Sequence, residues 1–572
     1  MKDAVLRNLI RAALVALLLF GIGRHAYQVA DKSLFTRIPL KPLVVSEHFE
    51  TSAVLRVEPG AAKMRSVVLI TLDTTRPDRI GCYGNHDIAT PRIDQLASEG
   101  AIFTGALATA STTLPTHASI LTGRYPHRHG APANSLFELA EQETTLAEVY
   151  ASHGYDTAAF VSAFTLVSRF GLDQGFGVYD DELNTSETKS VGSRRPGNET
   201  TERAISWLRA NRTKPYFLWV HYYDPHSGYD PPEPFKSDYA LRYDGEIAFV
   251  DREVGRLVDA VRGSGEDEPL IVLTADHAEA LGEHGEETHG YLVQEATLKI
   301  PLIFSSPGAV QPGVHVPTPT SQVDLLPTIL SLTGIPIPEG IDGVDLTKEF
   351  TQPRPILAEA LEGRVNFGWS RLSALYYGNH KYVEGPHTEL YDLAVDPTEQ
   401  ENIADASTQL VSSLGQRLAA LHATGDAILR PKSNGLSTAE REQLEALGYV
   451  VAGEAEIPAG GPGPDPRNWI GLLDNMFRAK INSERSETLS LPARMTLRIN
   501  GIPTPNSDEE MIELVEGIAE DHPDYAPAQF YLSTLYRDVG RAEDSANAND
   551  RLAAMIQRLT NAKQGEPSAT SR

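Results

Sequence analysis

The sequence predicts an α/β protein: a mostly parallel sheet flanked by helices, a small α+β extension after it, and a helical C-terminal part. Three observations carry this. Short apolar, β-branched runs recur at Val67–Leu72 (VVLITL), Tyr216–Val220 (YFLWV), Leu270–Leu273 (LIVL) and Pro301–Phe304 (PLIF). Such runs read as strands buried on both faces. Helical stretches lie between them, as at Gly245–Arg262, where Ile247, Val250, Val254, Leu257, Val258 and Val261 share one face. Finally, two of the runs lead straight into polar, ligand-like residues, Asp73 after the first and Asp276-His277 after the third. In open α/β sheets, ligands bind beyond the carboxyl ends of the strands.

The elements follow in order. Lys2, Arg7 and Arg11 flank an apolar run from Ala12 to Ile22, so residues 1–30 read as a signal peptide or a membrane anchor. Either form exports the bulk of the chain to a periplasmic or extracellular space. Residues 31–64 read as a connecting segment, and 65–430 as the catalytic domain. After Pro353, Lys381-Tyr382-Val383 and Glu389–Leu393 read as two short strands, followed by a helix carrying Leu410, Leu414 and Leu418. Residues 431–467 read as a linker, because 452–467 (AGEAEIPAGGPGPDPR) is rich in Ala, Gly and Pro and lacks periodicity. Residues 468–562 read as helical. Within them Asp524–Arg541 resembles one tetratricopeptide unit, and an ordinary helical hairpin fits equally well. These helices are a candidate surface for a protein partner. The tail, 563–572, is polar and expected to be disordered.

Composition narrows the function. A chain of 572 residues is too long for one compact domain. A formal charge of -27 argues against nucleic-acid binding, which needs a basic stripe. An acidic protein that handled an anionic ligand would have to neutralise it locally, which favours a bound metal. The single cysteine, Cys82, permits no internal disulfide and no cysteine metal cluster. It is expected to be a small buried hydrophobe.

Three groups of residues carry candidate chemistry. Thr113 stands just ahead of Pro115, which suits the first turn of a helix. A hydroxyl there faces unpaired N–H groups and the positive end of the helix dipole. Taken alone, Thr112, Thr113 and Thr116 read as well as ordinary caps. Asp73, Asp276 and His277 suit a hard or borderline divalent cation, although each singly is also a common structural residue. A metal touching Thr113 would lower its hydroxyl pKa. His221, Asp224 and His226 (HYYDPH) and His289, in the glycine-rich loop 282–290, could bind substrate oxygens or protonate a leaving group.

In this order the residues resemble the sulfatase family of the alkaline phosphatase superfamily. Leu72–Gly84 (LDTTRPDRIGCYG) is similar to the family's first metal-ligand segment, and Thr90–Ala97 to the helix after it. Thr113–Gly123 (TLPTHASILTG) resembles the signature, continued by Arg124–Gly130. Asp224-Pro225-His226, Tyr243–Glu246, Asp276-His277, Gly282–Gly285 and Glu389–Leu393 with Asp396-Pro397 and Asn402 fall where the family has counterparts. The likeness covers roughly residues 65 to 405.

It implies an alkaline-phosphatase-like fold and metal-dependent cleavage of sulfate- or phosphate-type esters. One divalent ion (Ca, Mn, Mg or Zn) would be held by Asp73, Asp276, His277 and Thr113. A second-metal variant would use Asp224 with His226 or His289. Thr113, His226 and His289 take catalytic roles, and His117 and His221 bind substrate. The substrate is a small-molecule, glycan or lipid ester.

The departures matter. Sulfatases place Cys or Ser at the Thr113 position, for oxidation to formylglycine, and Arg at the His117 position. Threonine cannot give that aldehyde. A threonine ester is released by a second attack at sulfur or phosphorus, which is the ordinary route for phosphoryl esters. Thr74 replaces the usual second aspartate, no Lys stands near Tyr155, and His289 replaces the basic Lys opposite the nucleophile. The sequence therefore favours a phospho- or phosphonoester hydrolase or transferase. A sulfuric-ester hydrolase without formylglycine and a catalytically weak binding protein are the alternatives.

Overall fold

The computed structural model describes the chain from residue 54 to 561, except 59, 61–62, 135–136, 184–193, 211–213, 227, 264–267, 351–352, 426–427, 485–506 and most of 430–462. The segment expected to act as signal or anchor lies outside the described residues, as does the C-terminal tail.

The main sheet has eight strands: β1 (Val67–Leu72), β2 (Gly100–Phe103), β4 (Asp156–Phe160), β5 (Val178–Asp180), β6 (Tyr216–Tyr222), β7 (Leu270–Ala275), β8 (Leu302–Ser305) and β9 (Val314–Val316). A two-residue strand, β3 (Ala106–Leu107), pairs outside it with β10 (Thr320–Ser321). Their order across the sheet is β5-β4-β6-β1-β7-β8-β2-β9. β1 lies centrally and runs parallel to both β6 and β7. β8, the run predicted at 301–304, is antiparallel to both its neighbours. The apolar pattern shows a strand buried on both faces but not its direction, which the connection sets.

Helices cover both faces, and the alternation along β1 shows why. Val67 and Leu69 point into one core with α2 (Thr113–Thr122), α3 (Leu146–Ser152) and α6 (Leu325–Thr333). Val68, Ile70 and Leu72 point into the other, with α1 (Pro91–Ser98), α4 (Gly197–Ala210) and α5 (Arg242–Arg262). All six residues predicted for the apolar face of α5 are buried. Cys82 is only partly buried at the edge of that second core.

The small extension is a four-stranded antiparallel sheet, β11 (Ile356–Ala360), β12 (Leu372–Tyr377), β13 (His380–Glu384) and β14 (Glu389–Asp392). α7 (Glu362–Phe367) follows β11, and α8 (Thr408–His422) covers the sheet with Leu414 and Leu418.

Beyond it run α9 (Pro466–Glu484), α10 (Asp508–Asp521), α11 (Ala526–Asp538) and α12 (Ala542–Asn561). They are not set apart from the catalytic fold. Ile470, Leu473 and Met476 of α9 belong to the same apolar core as β1. Phe530 of α11 lies 6.4 Å, centroid to centroid, from Phe367 of α7. The Gly- and Pro-rich approach to α9 is also engaged: Ser370 donates from its N–H to the Pro464 carbonyl at 2.8 Å and from its hydroxyl to the Gly463 carbonyl at 2.7 Å. Ile457–Pro458 pairs antiparallel with Ile428–Leu429.

Candidate active site

Strand register builds the site. Leu72 pairs with Tyr222 of β6 and Ala275 of β7, so the three strands end level. Asp73 and Asp276, each one residue past its strand, therefore stand side by side. The turn after β1 is tight: Thr74 takes a φ of 50°, where a β-branched residue costs about 1–3 kcal/mol. Three contacts hold it there. The Thr74 N–H donates to Asp276 Oδ1 at 3.2 Å, and its carbonyl accepts from the Tyr243 hydroxyl at 2.7 Å. Two residues on, the Arg76 N–H donates to the Tyr243 oxygen at 3.0 Å.

α2 presents Thr113 at its first position. Thr112 is the extended N-cap residue, but its side chain makes no cap bond. Instead Asn134 Oδ1 accepts from the Leu114 N–H at 2.8 Å. All ten residues of α2 are buried, which pins the backbone of Thr113. Thr113 Oγ1 lies 3.4 Å from His277 Nε2.

The carboxylates have an unmet need. Both oxygens of Asp73 and Oδ2 of Asp276 are buried without a hydrogen-bond partner. Burial pushes the Asp73 carboxyl up to about 7, with the nearby His277 opposing the rise, and raises Asp276 as well. Paired, unsatisfied buried carboxylates cost several kcal/mol unless a cation compensates them.

His277 is oriented to help. Its Nδ1–H faces the Ala278 carbonyl at 3.1 Å, which leaves the Nε2 lone pair 3.4 Å from Asp276 Oδ2 and 3.8 Å from Asp73 Oδ1. Ligand atoms of Asp73, Asp276 and His277 all lie within 4.8 Å of one another. The donor set and its orphaned oxygens fit a divalent cation.

His117, His221 and Asp276 form a second such trio. Here the chemistry fails, because both His117 nitrogens are engaged. Nδ1 donates to the Thr113 carbonyl at 2.8 Å, and Nε2 accepts from the Thr71 hydroxyl at 3.0 Å, whose oxygen in turn receives Trp219 Nε1–H at 3.0 Å. Burial lowers His117 to about 3, so the ring is neutral.

His221 is also neutral, lowered by burial to about 4. It lies within β6 rather than after it. Its Nδ1 accepts from the Ser162 N–H at 3.4 Å, and Nε2 stands 3.6 Å from Asp73 Oδ2. Both rings are fully buried, with contacts running to Thr113 and Asp73.

On the other side the rings form a series. His289 lies 4.4 Å from His277 and 5.0 Å from His226, and His226 stacks on Tyr223 at 4.4 Å. His289 Nδ1 bonds Glu279 Oε1 at 2.9 Å, and the Tyr229 hydroxyl donates to Glu279 Oε2 at 2.7 Å. Burial lowers His289 to about 4 and raises Glu279 to about 8. Asp224 Oδ2 accepts from the Gly197 N–H at the start of α4 at 2.9 Å.

Asn134, Tyr229 and Glu279 escaped sequence reasoning. Glu279 carried a signal, an acid between two alanines directly after Asp276-His277; Asn134 and Tyr229 carried none.

A level strand edge, a hydroxyl at a helix start and a cation-ready acid/histidine cluster are the parts that metal-assisted ester cleavage requires. Comparison with known proteins places it more closely. The sulfatase family model matches residues 65–335. The ulvan-active sulfatase of Formosa agariphila is 26% identical over 399 residues, 59% of this chain and 76% of that protein. An arylsulfatase of Clostridium perfringens is 22% identical over 435 residues, 60% of this chain and 90% of that one. Among solved structures, the phosphonate monoester hydrolase of Agrobacterium radiobacter superposes with a TM-score of 0.54 at 22% identity, covering 63% of this chain and 96% of its own. The catalytic domain thus has the sulfatase, alkaline-phosphatase-like fold, and the protein is a sulfatase-like ester hydrolase.

Proposed function

We propose that this protein cleaves or transfers phosphoester or phosphonoester groups through a covalent ester on Thr113. The observation that carries the reading is the identity of the residue at the signature position. A threonine hydroxyl at the start of a fully buried helix, 3.4 Å from His277 Nε2, supports the role of a nucleophile and has no route to formylglycine.

A divalent cation bound by Asp73, Asp276, His277 and Thr113 would lower the hydroxyl pKa and neutralise the ester's oxygens. The chain's own residues do the rest. Thr113 Oγ1 bonds to phosphorus as the bond to the leaving oxygen breaks. His289, its ring fixed by Glu279, and His226 beside it donate hydrogen bonds to the leaving oxygen or the oxyanion. Water, or an acceptor alcohol in a transferase, then attacks phosphorus and frees Thr113. His117 and His221 act from behind, as positioning residues for Thr113 and Asp73. A second-metal variant would add Asp224 with His226 or His289. Export rests on Lys2, Arg7, Arg11 and the run Ala12–Ile22, and a tetratricopeptide-like role for α11 and α12 on their sequence.

A second reading has support in the relatives' names, which are those of sulfatases: sulfuric-ester hydrolysis from the same Thr113. Paired assays with an aryl phosphate, an aryl phosphonate and an aryl sulfate, each with added Mn, Zn, Mg or Ca, separate the two. Turnover of the sulfate alone would overturn the first.

A further inference from the structure

Two consecutive arginines precede α4, and they are used differently. Arg195 is fully buried and committed, to Asp180 Oδ1 at 2.5 Å, the Val161 carbonyl at 2.7 Å and the Asp180 carbonyl at 3.1 Å. Among the described residues Arg194 has no such partners. Its backbone bridges to Ala163, and its guanidinium carbon stands 5.7 Å over the Tyr223 ring. Its Nη1 is buried and makes no hydrogen bond, and no carboxylate among the described residues forms an ion pair with it.

The other arginines at this edge are neutralised. Arg76 is paired with Asp78 and Glu283, and Arg79 with Asp244. A buried guanidinium N–H without an acceptor is costly in a chain with 77 acidic residues to choose from, and a ligand reaching this half-buried side chain would relieve it. Asp224 and Glu246 feel the Arg194 charge without touching it.

Its place relative to the site is defined by rings. Tyr223 beneath it stacks on His226, then come His289 and His277, and Thr113 beyond. Arg194 thus stands at the outer end of the wall whose inner end is the nucleophile, separated from the ester being cleaved. A planar guanidinium held on an aromatic face suits an oxyanion, which it can grip through two parallel hydrogen bonds.

We propose that Arg194 binds a second anionic group of the substrate, so that this enzyme prefers esters carrying a carboxylate, sulfate or phosphate besides the one it cleaves. The inference rests on the reading of Thr113 as the site of ester cleavage.

Two aryl phosphodiesters test it: methyl 4-nitrophenyl phosphate, and carboxymethyl 4-nitrophenyl phosphate, which adds one carboxylate. The wild-type enzyme should favour the carboxymethyl diester in kcat/KM by about tenfold or more, chiefly through KM, as expected for a charged hydrogen bond. Arg194→Gln should bring the ratio close to one, and Arg194→Lys should keep part of it. A wild-type ratio near one, or an equal loss on both diesters in Arg194→Gln, overturns the proposal.

If neither diester is turned over, the proposed reaction fails. The inference is then read from equilibrium binding of the same two diesters to Thr113→Ala with Mn added. Weakening by Arg194→Gln of the carboxymethyl diester alone supports it, and equal effects on both refute it.

Discussion

Asp73 makes the protein's stability depend on pH in an unusual direction when no metal is bound. Its folded pKa is about 7, against the ordinary 3.8. Below pH 3.8 both states are protonated. As pH rises through the window from 3.8 to about 7, the unfolded chain ionises while the folded carboxyl stays protonated, so folding weakens. The slope is about 1.4 kcal/mol per pH unit. Over the whole window the loss is about 4 kcal/mol, which is comparable to a large share of a domain's stability. Bound metal removes the penalty, and free cation at a hundred times its dissociation constant adds about 2.7 kcal/mol. The assay is denaturant unfolding of chelator-treated protein at pH 5 and pH 8, for wild type and Asp73→Asn. The wild type should lose stability between the two values, and the asparagine variant should lose less by about 2–3 kcal/mol. Added Mn or Zn should restore the wild type at pH 8 and leave Asp73→Asn unprotected. Equal pH dependence in both proteins would show that Asp73 is not the group responsible.

Three further outcomes follow from the same geometry. Asp276→Ala should abolish metal retention, by elemental analysis, and turnover, with the circular dichroism of the fold kept. Asn134→Ala leaves the Leu114 N–H without its acceptor; it should cost about 1–3 kcal/mol in unfolding free energy and lower kcat more than metal affinity. Asp474→Ala removes the α9 carboxylate that accepts from the Glu287 N–H at 2.8 Å, inside the loop that carries His289. It should lower kcat while metal content, again by elemental analysis, stays at the wild-type level.

The sequence made the sheet legible because strands buried on both faces are written as continuous apolar runs, and β1, β6, β7 and α5 fall where those runs and faces lie. The polar residues at the strand ends were legible for the same reason: Asp73 and Asp276 interrupt such runs. Three things were hidden. The antiparallel direction of β8 depends on its connections. The docking of α9 depends on Ile470, Leu473 and Met476 finding the main core, whereas composition pointed to a linker before it. His221 falls outside the apolar run Tyr216–Val220, because an imidazole inside a buried strand is tolerated only where its nitrogens face partners. Those partners, Ser162 and Asp73, are distant in sequence. The same holds for Arg194, whose buried Nη1 lacks a hydrogen-bond partner, a feature that no local pattern records.

Thr113 is expected to carry a covalent ester during turnover. The direct measurement is mass spectrometry of acid-quenched enzyme during turnover of an aryl phosphate or phosphonate, with the peptide containing Thr113 sequenced. A phosphoryl- or phosphonyl-sized mass increase on Thr113, absent in Thr113→Ala and retained in Thr113→Ser, is the predicted result. Full turnover by Thr113→Ala, or the adduct on another residue such as Thr116, would contradict the account.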